Sequence, residues 1–136
     1  MKRLIGLAAL TVLELPHEEQ IAVAAQTGYD TVGLRLIPVA AQRYQHPLDI
    51  GALERRLRDT AVRVLDIEVF RLEPTTRIPE FEPTLEMSQR LGATELLVHG
   101  ADPDVARLTD SFGRLCDLDD DFRGDTEHQS LPDRVG

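Results

Sequence analysis

Residues 63–71 read RVLDIEVFR, and this stretch decides the fold. Apolar and charged side chains alternate along it, as in a β-strand whose successive side chains point to opposite faces. One face is purely aliphatic (Leu65, Ile67 and Val69), which is typical of the helix-covered side of a parallel sheet. The opposite face carries Val64, Asp66, Glu68 and Phe70. Two carboxylates on an otherwise buried face are costly when unpaired, so we expect them to have a structural partner or a function.

Composition limits the classes of function. The 136 residues are 42% hydrophobic, which is enough for one domain with its own core. A formal net charge of −9 argues against nucleic-acid and acidic-membrane partners and favours a small soluble ligand. The single cysteine, Cys116, excludes an internal disulfide. The apolar run at residues 4–13 lacks a cleavage site and is shorter than the ~18 residues of a membrane span, so we predict a cytoplasmic protein.

Strand patterns recur roughly every 30 residues, a spacing that predicts right-handed βαβ units and a parallel sheet. The predicted strands are residues 4–10, 31–37, 63–71 and 94–99. The predicted helices between and after them have clear end signals. Gly28 is the left-handed stop of the first helix, and Asp49 is the N-cap of the second. The third helix is predicted over residues 80–91, and Asp102 followed by Pro103 begins the fourth.

The fourth helix has an apolar stripe at helical spacing, made of Val105, Leu108, Phe112 and Leu115. Beyond it the chain becomes acidic, and no strand pattern occurs near residue 125, where the repeat would place a fifth strand. We therefore predict a domain of four strand-helix units over residues 1–118 and a disordered acidic tail over residues 119–136.

Two parallel architectures can use four such units: an open doubly wound sheet and part of a (β/α)8 barrel. A nucleotide-binding open sheet would have a glycine-rich loop after its first strand, and none is present. Polar residues instead recur on one face of three successive strands, at Arg35, at Asp66 with Glu68, and at His99. Such a pattern is typical of a barrel lumen with a site at its mouth, so we predict a half-barrel.

Four segments stand out by their order and spacing: residues 5–7 (IGL), 28–35 (GYDTVGLR), 65–71 (LDIEVFR) and 91–100 (LGATELLVHG). Together they resemble the xylose isomerase-like TIM barrels, specifically the sugar phosphate isomerases and epimerases. The resemblance covers about residues 3–118. It implies metal-assisted isomerisation or epimerisation of a sugar, a sugar phosphate or a related ketose.

The resemblance also implies a divalent metal (Mn, Mg, Zn or Co), held in that family by residues on the later strands. No metal ligand can be assigned in this chain, which has no later strands. A complete barrel typically needs ~250 residues. We therefore expect the N-terminal half of such a barrel, inactive alone, through truncation, a shifted reading frame or a split gene.

Three residues are candidates for the site. Arg35 would bind a phosphate or carboxylate, and Glu68 would act catalytically by bonding substrate hydroxyls or moving a proton. A purely structural ion pair between them is an equal alternative. His99 would contact substrate, unless it is a satisfied core or loop histidine. Asp66 lies nearer the middle of its strand and is more readily structural.

The first and fourth strands would be open edges, which invite pairing with another chain. A non-catalytic alternative is therefore a fragment that forms a homodimer or complements a second half-barrel. A further alternative is a complete small α/β binding protein with an open sheet, in which helices would cover Glu68.

Overall fold

The computed structural model describes residues 3–39, 43 and 45–130, with side chains through residue 124. Strands and helices alternate along the chain, with 3₁₀ turns at Ala9–Val12 and Ile78–Phe81. The elements are β1 (Gly6–Leu7), α1 (His17–Thr27), β2 (Thr31–Arg35), α2 (Ile50–Arg58), β3 (Arg63–Leu72), α3 (Glu82–Arg90), β4 (Glu95–Gly100) and α4 (Val105–Ser130). In the described part of the chain, none of the helices combines the length and the apolar character that crossing a membrane requires.

The four strands form one parallel sheet in the order β1-β2-β3-β4. Gly6 lies opposite Thr31 on β2, and Arg35 lies opposite Glu68 on β3. At the start of β4, the Thr94 N–H donates to the Leu65 carbonyl at 3.0 Å. The predicted set of four parallel strands with intervening helices is confirmed, whereas curvature into a barrel remains a proposal.

A β-bulge interrupts the pairing of β2 with β3. Val32 lies opposite Val64, but the next residue, Gly33, lies opposite Asp66, so Leu65 is an extra residue. Because paired residues of parallel strands share a face, Val64 joins the aliphatic face with Val32. The prediction that Val64 shares a face with Asp66 is wrong, and so is strict alternation. Leu65, predicted to lie under the helices, is 38% exposed.

The chain divides into two compact units, residues 1–70 with 90–98, and residues 71–89 with 99–136. The first unit contains β1, β2, α1, α2 and most of β3. Its core lies where α1 and α2 pack together and α1 packs on β2. Each fully buried large aliphatic or aromatic side chain contributes roughly 1.5–3 kcal/mol through loss of water contact. The best-buried large side chains in the core of the first unit are Ile21, Leu34, Leu53, Ile67 and Phe70.

Two predicted helix ends in the first unit are confirmed. Gly28 has φ 84° and closes α1 in the left-handed conformation. The Asp49 side chain accepts a hydrogen bond from the Ala52 N–H at 3.0 Å and caps α2. The first strand is shorter than predicted, because the chain turns into the 3₁₀ helix at Ala9 and leaves Leu10 68% exposed.

The second unit contains α4, whose start differs from the prediction. Asp102 Oδ1 accepts from the Asp104 N–H at 2.9 Å, and Asp104 Oδ1 accepts from the Arg107 N–H at 3.1 Å. Asp104, not Asp102, is therefore the N-cap, because Asp102 closes a turn with its own backbone instead. The predicted apolar stripe is only partly packed: Leu115 is buried, but Phe112 is 49% exposed.

The acidic segment predicted to be disordered from residue 119 is helical as far as Ser130. Within it, Arg123 Nε donates to Asp119 Oδ2 at 2.7 Å, an i,i+4 ion pair that supports a helix. Residues 131–136 of the predicted tail lie outside the described residues. The predicted division at residue 118 stays a prediction.

Candidate functional site

A small cavity lies at the carboxyl ends of the first two strands, where parallel α/β proteins bind their ligands. The segments that follow β1 and β2, together with the first turn of α1, enclose about 100 Å³. Leucines and a proline form its apolar walls. Its polar lining residues are His17, Gln20, Arg35, Gln45 and His46.

Arg35, the last residue of β2, meets Glu68, which lies in the middle of β3. Both Nε and Nη2 of Arg35 lie 3.2 Å from the same carboxylate oxygen, Glu68 Oε1. The two side chains are only 13% and 9% exposed. Glu68 Oε2 accepts no hydrogen bond from any residue that the structure describes. The structure thus brings together two of the three predicted site residues, while their roles remain predictions.

His17 presents a hydrogen-bond acceptor without a partner among the described residues. Its Nε2 lies 3.0 Å from the carbonyl oxygen of Arg35. Because a carbonyl oxygen only accepts, Nε2 must carry the proton, and Nδ1 of the neutral ring is then an acceptor. Nδ1 is buried and has no partner within the described residues.

Gln20 repeats this arrangement one turn further along α1. Its Nε2 donates to the Leu15 carbonyl at 2.9 Å, which fixes Oε1 as the acceptor end of the amide. The residue is 3% exposed, and Oε1 has no partner in the described part of the chain. A buried polar atom without a partner costs roughly 1–3 kcal/mol, so this site favours an occupant that donates hydrogen bonds.

Sequence reasoning missed His17 and Gln20, although a signal was present. Positions 17, 20, 21 and 24 follow the i, i+3, i+4, i+7 spacing of a buried helix face. Ile21 and Ala24 occupy the apolar part of that face and are fully buried. Two polar residues on the first turn of the same face, at the carboxyl end of the sheet, indicate a polar cavity.

Asp66 lies on the same face of β3 as Glu68, next to the Arg35–Glu68 pair. Its carboxylate sits directly over Gly33, where a β-carbon would collide with it. Burial, and secondly the nearby carboxylate of Glu95, raise the pKa of Asp66 above its ordinary value of 3.8. Neither cause provides an opposite charge. Asp66 therefore destabilises the folded chain whenever it is ionised.

His99 belongs to the second unit and contacts other residues there. Its Nδ1 lies 3.2 Å from Arg71 Nη1, and since a guanidinium only donates, Nδ1 accepts. Arg71 Nε also donates to Glu73 Oε1 at 2.5 Å. All three side chains are substantially exposed, so the structure places His99 in a surface network. Its predicted contact with substrate stays a prediction.

The resemblance implies a divalent metal, which requires several protein ligands gathered at one point. Among the side chains that the structure describes, in residues 3–39, 43 and 45–124, no three His, Cys, Asp or Glu side chains are placed to hold a metal ion together. The described residues therefore do not fit a complete metal site.

Comparison with known proteins gives structural matches only. No family model and no curated protein matches the sequence. The fold is similar to that of part of the IolI protein, which was crystallised with a bound zinc atom. This match has 14% identity and a TM-score of 0.67, and it covers 88% of this chain and 49% of that one.

A putative uncharacterized protein from Parabacteroides distasonis is also similar, at 12% identity and a TM-score of 0.64, with the match covering 88% of this chain and 49% of that chain. At such identities the likeness shows the fold alone. The chain spans about half the length of the structures it matches.

Proposed function

We propose that the chain binds a sugar or sugar phosphate in the cavity at the carboxyl ends of β1 and β2, as one wall of an isomerase or epimerase site. The observation that carries this proposal is the cavity that His17, Gln20 and Arg35 line together. His17 Nδ1 and Gln20 Oε1 are, in addition, buried acceptor atoms without a partner among the described residues. The fold shared with the zinc-bound IolI protein supports it.

Sugar hydroxyl groups match the chemistry of this cavity. Each hydroxyl can donate one hydrogen bond, which His17 Nδ1 and Gln20 Oε1 need, and the guanidinium of Arg35 can donate to a phosphate or carbonyl oxygen. A volume of about 100 Å³ holds only part of a sugar, such as one terminal carbon with its hydroxyl. The remainder of the substrate would extend out of the cavity past Arg35.

Glu68 would carry the proton. Isomerisation and epimerisation both remove a proton from a carbon next to a carbonyl and return it to another position or another face. Arg35 holds Glu68 Oε1 in place and leaves Oε2 available to take and return that proton. In this scheme Arg35 positions the carboxylate and Glu68 reacts.

The proposal includes a second half-barrel. β1 and β4 are the two edges of the sheet, so each has one side without a neighbouring strand among the described residues. Exposed edges pair readily with other chains. A second copy of the chain, or a separate half-barrel carrying the metal ligands, would complete the site, and the chain alone would be inactive. Sedimentation at micromolar concentration tests the homodimer, which a clean monomer would contradict.

Binding can be tested by saturation-transfer NMR with D-fructose and D-fructose 6-phosphate as probes. Gln20→Leu should abolish the signal because it removes the acceptor without opening the core. Gln26→Leu is the matched control, since Gln26 is an exposed glutamine on the same helix. The proposal is wrong if neither probe binds, or if both variants weaken binding equally.

Activity needs a separate measurement. Exchange of substrate C–H protons with D₂O, followed by NMR with added Mn²⁺ or Mg²⁺, should be absent for the chain alone. Turnover that Glu68→Ala abolishes would show instead that the chain is sufficient for catalysis.

A further inference from the structure

A second cleft, at the start of β3, is larger than the cavity described above. It encloses about 330 Å³ between the last turn of α2, the first residues of β3 and the end of α3, all in the first compact unit. Its floor is formed by the apolar residues Val62, Val64 and Leu91, which are 4%, 3% and 6% exposed. Five residues of strand rise separate Arg63 from Glu68, about 16 Å, so this cleft is a distinct site.

The rim of this cleft is basic in a chain of net charge −9. Arg58, Arg63 and Arg90 line it, together with a single carboxylate, Glu54. Arg90 is paired with Glu54. Arg58 and Arg63 have neither an ion pair nor a side-chain hydrogen bond with any residue that the structure describes. Two guanidinium groups therefore remain available at the rim of an apolar floor.

Helix electrostatics explains only part of this arrangement. Basic residues are favourable in the last turn of a helix, which accounts for Arg55, Arg56 and Arg58 on α2. Arg63 is the first residue of a strand and gains nothing from a helix dipole. Arg63 and Arg58 line the same cleft, so their like charges repel each other, and an anion bound in the cleft would offset that repulsion.

We propose that this cleft binds a small organic phosphate ester. The planar guanidinium of arginine pairs with phosphate oxygens through two parallel hydrogen bonds, so Arg58 and Arg63 would hold the phosphate. The floor of Val62, Val64 and Leu91 would take the apolar or ring-shaped body of the ligand. The volume falls within the range of small-molecule sites, roughly 300–1,000 Å³. This inference does not depend on the proposed isomerase function.

Titration of the 136-residue chain, followed by ¹⁵N–¹H NMR, tests the proposal with three probes. Phenyl phosphate carries both charge and an apolar ring, inorganic phosphate carries charge only, and phenol carries the ring only. We expect phenyl phosphate to bind most tightly and phenol not to bind. The amides that shift should be those of residues 62–64 and 90–92.

Variants separate a specific site from general charge attraction. Arg58→Ala and Arg63→Ala should each weaken phenyl phosphate binding about tenfold, as expected for a lost charge-assisted hydrogen bond. Arg63→Lys keeps the charge but loses the paired hydrogen bonds, so it should recover only part of the affinity. Arg56→Ala removes the same charge from the same helix outside the cleft, and should change the affinity less than about twofold.

Three results would overturn the proposal: no binding by phenyl phosphate, shifts centred on residues 17–20 instead of the cleft, or an equal loss in Arg56→Ala and Arg58→Ala. Arg58 is exposed on the surface of α2, so its variant is expected to fold. Thermal unfolding followed by circular dichroism identifies any variant that does not.

Discussion

Arg35 and Glu68 form an ion pair across β2 and β3 in which two guanidinium nitrogens, each at 3.2 Å, contact one carboxylate oxygen. Both side chains are almost buried. Removing one partner of a buried pair leaves the other charge without compensation, which is costlier than the pair itself.

Arg35→Met and Glu68→Gln should therefore each lower the free energy of unfolding, by roughly 3 kcal/mol, the low end for a broken buried pair. The double variant Arg35→Met/Glu68→Gln should recover most of this loss, since no uncompensated charge remains. Urea denaturation of the four proteins measures the coupling. Additive losses would show that the two residues do not act as a pair.

Asp66→Asn should stabilise the chain at neutral pH. Burial raises the pKa of Asp66, so the folded state binds a proton more tightly than the unfolded state does. Stability then falls as the pH rises from the unfolded pKa, near 3.8, through the raised folded pKa, and the full penalty applies above both.

The gain in melting temperature from Asp66→Asn should therefore be largest at pH 7 and disappear below about pH 4, where both states are protonated. Asp59→Asn, an exposed aspartate in the turn after α2, is the control and should not show this gain. A variant less stable than the parent at pH 7 would contradict the prediction.

Gly33→Ala should destabilise the chain by roughly 1–3 kcal/mol, the usual cost of overpacking. A β-carbon at this position collides with the Asp66 carboxylate. The cost should fall sharply in an Asp66→Ala background, because the colliding atoms are then absent. Urea denaturation of both single variants and the double variant measures this, and an unchanged cost would place the collision elsewhere.

Asp102→Asn should lower the melting temperature at pH 7. Hydrogen bonds from Arg107, at 2.5 Å and 2.8 Å, hold the pKa of Asp102 below its ordinary value of 3.8. For such a carboxylate, the stabilisation is present above pH 3.8 and is lost as the pH falls through the lower, folded pKa.

The difference between Asp102→Asn and the parent should therefore shrink in acid, as thermal scans from pH 7 to pH 2 would measure. Asp110→Asn breaks an exposed i,i+4 pair with Arg114 and should have little effect at any pH. A difference for Asp102→Asn that is independent of pH would rule out the ionised pair as its cause.

Sequence reasoning predicted the order of strands and helices because the chain repeats one unit with clear helix ends, at Gly28 and Asp49. It also predicted that Arg35 and Glu68 share a face, since the alternation of side chains along each strand assigns every residue to one face. The bulge at Leu65 was not predictable, because it depends on how β3 pairs with β2. The cavity at His17 and Gln20 was missed because the path of the loops above it has no simple pattern in sequence.

The extra residue Leu65 has a consequence for the polarity of the sheet. Val64 lies on the aliphatic face of the sheet. With Leu65 present, uninterrupted alternation from Val64 would place Asp66 and Glu68 on that same aliphatic face and separate Glu68 from Arg35. The bulge at Leu65 changes the face to which each following side chain of β3 points, compared with an unbulged strand of the same sequence. Deletion of Leu65 would therefore remove the bulge and leave Val64, Asp66, Ile67 and Glu68 in regular alternation, each opposite the residue of β2 that it pairs with now.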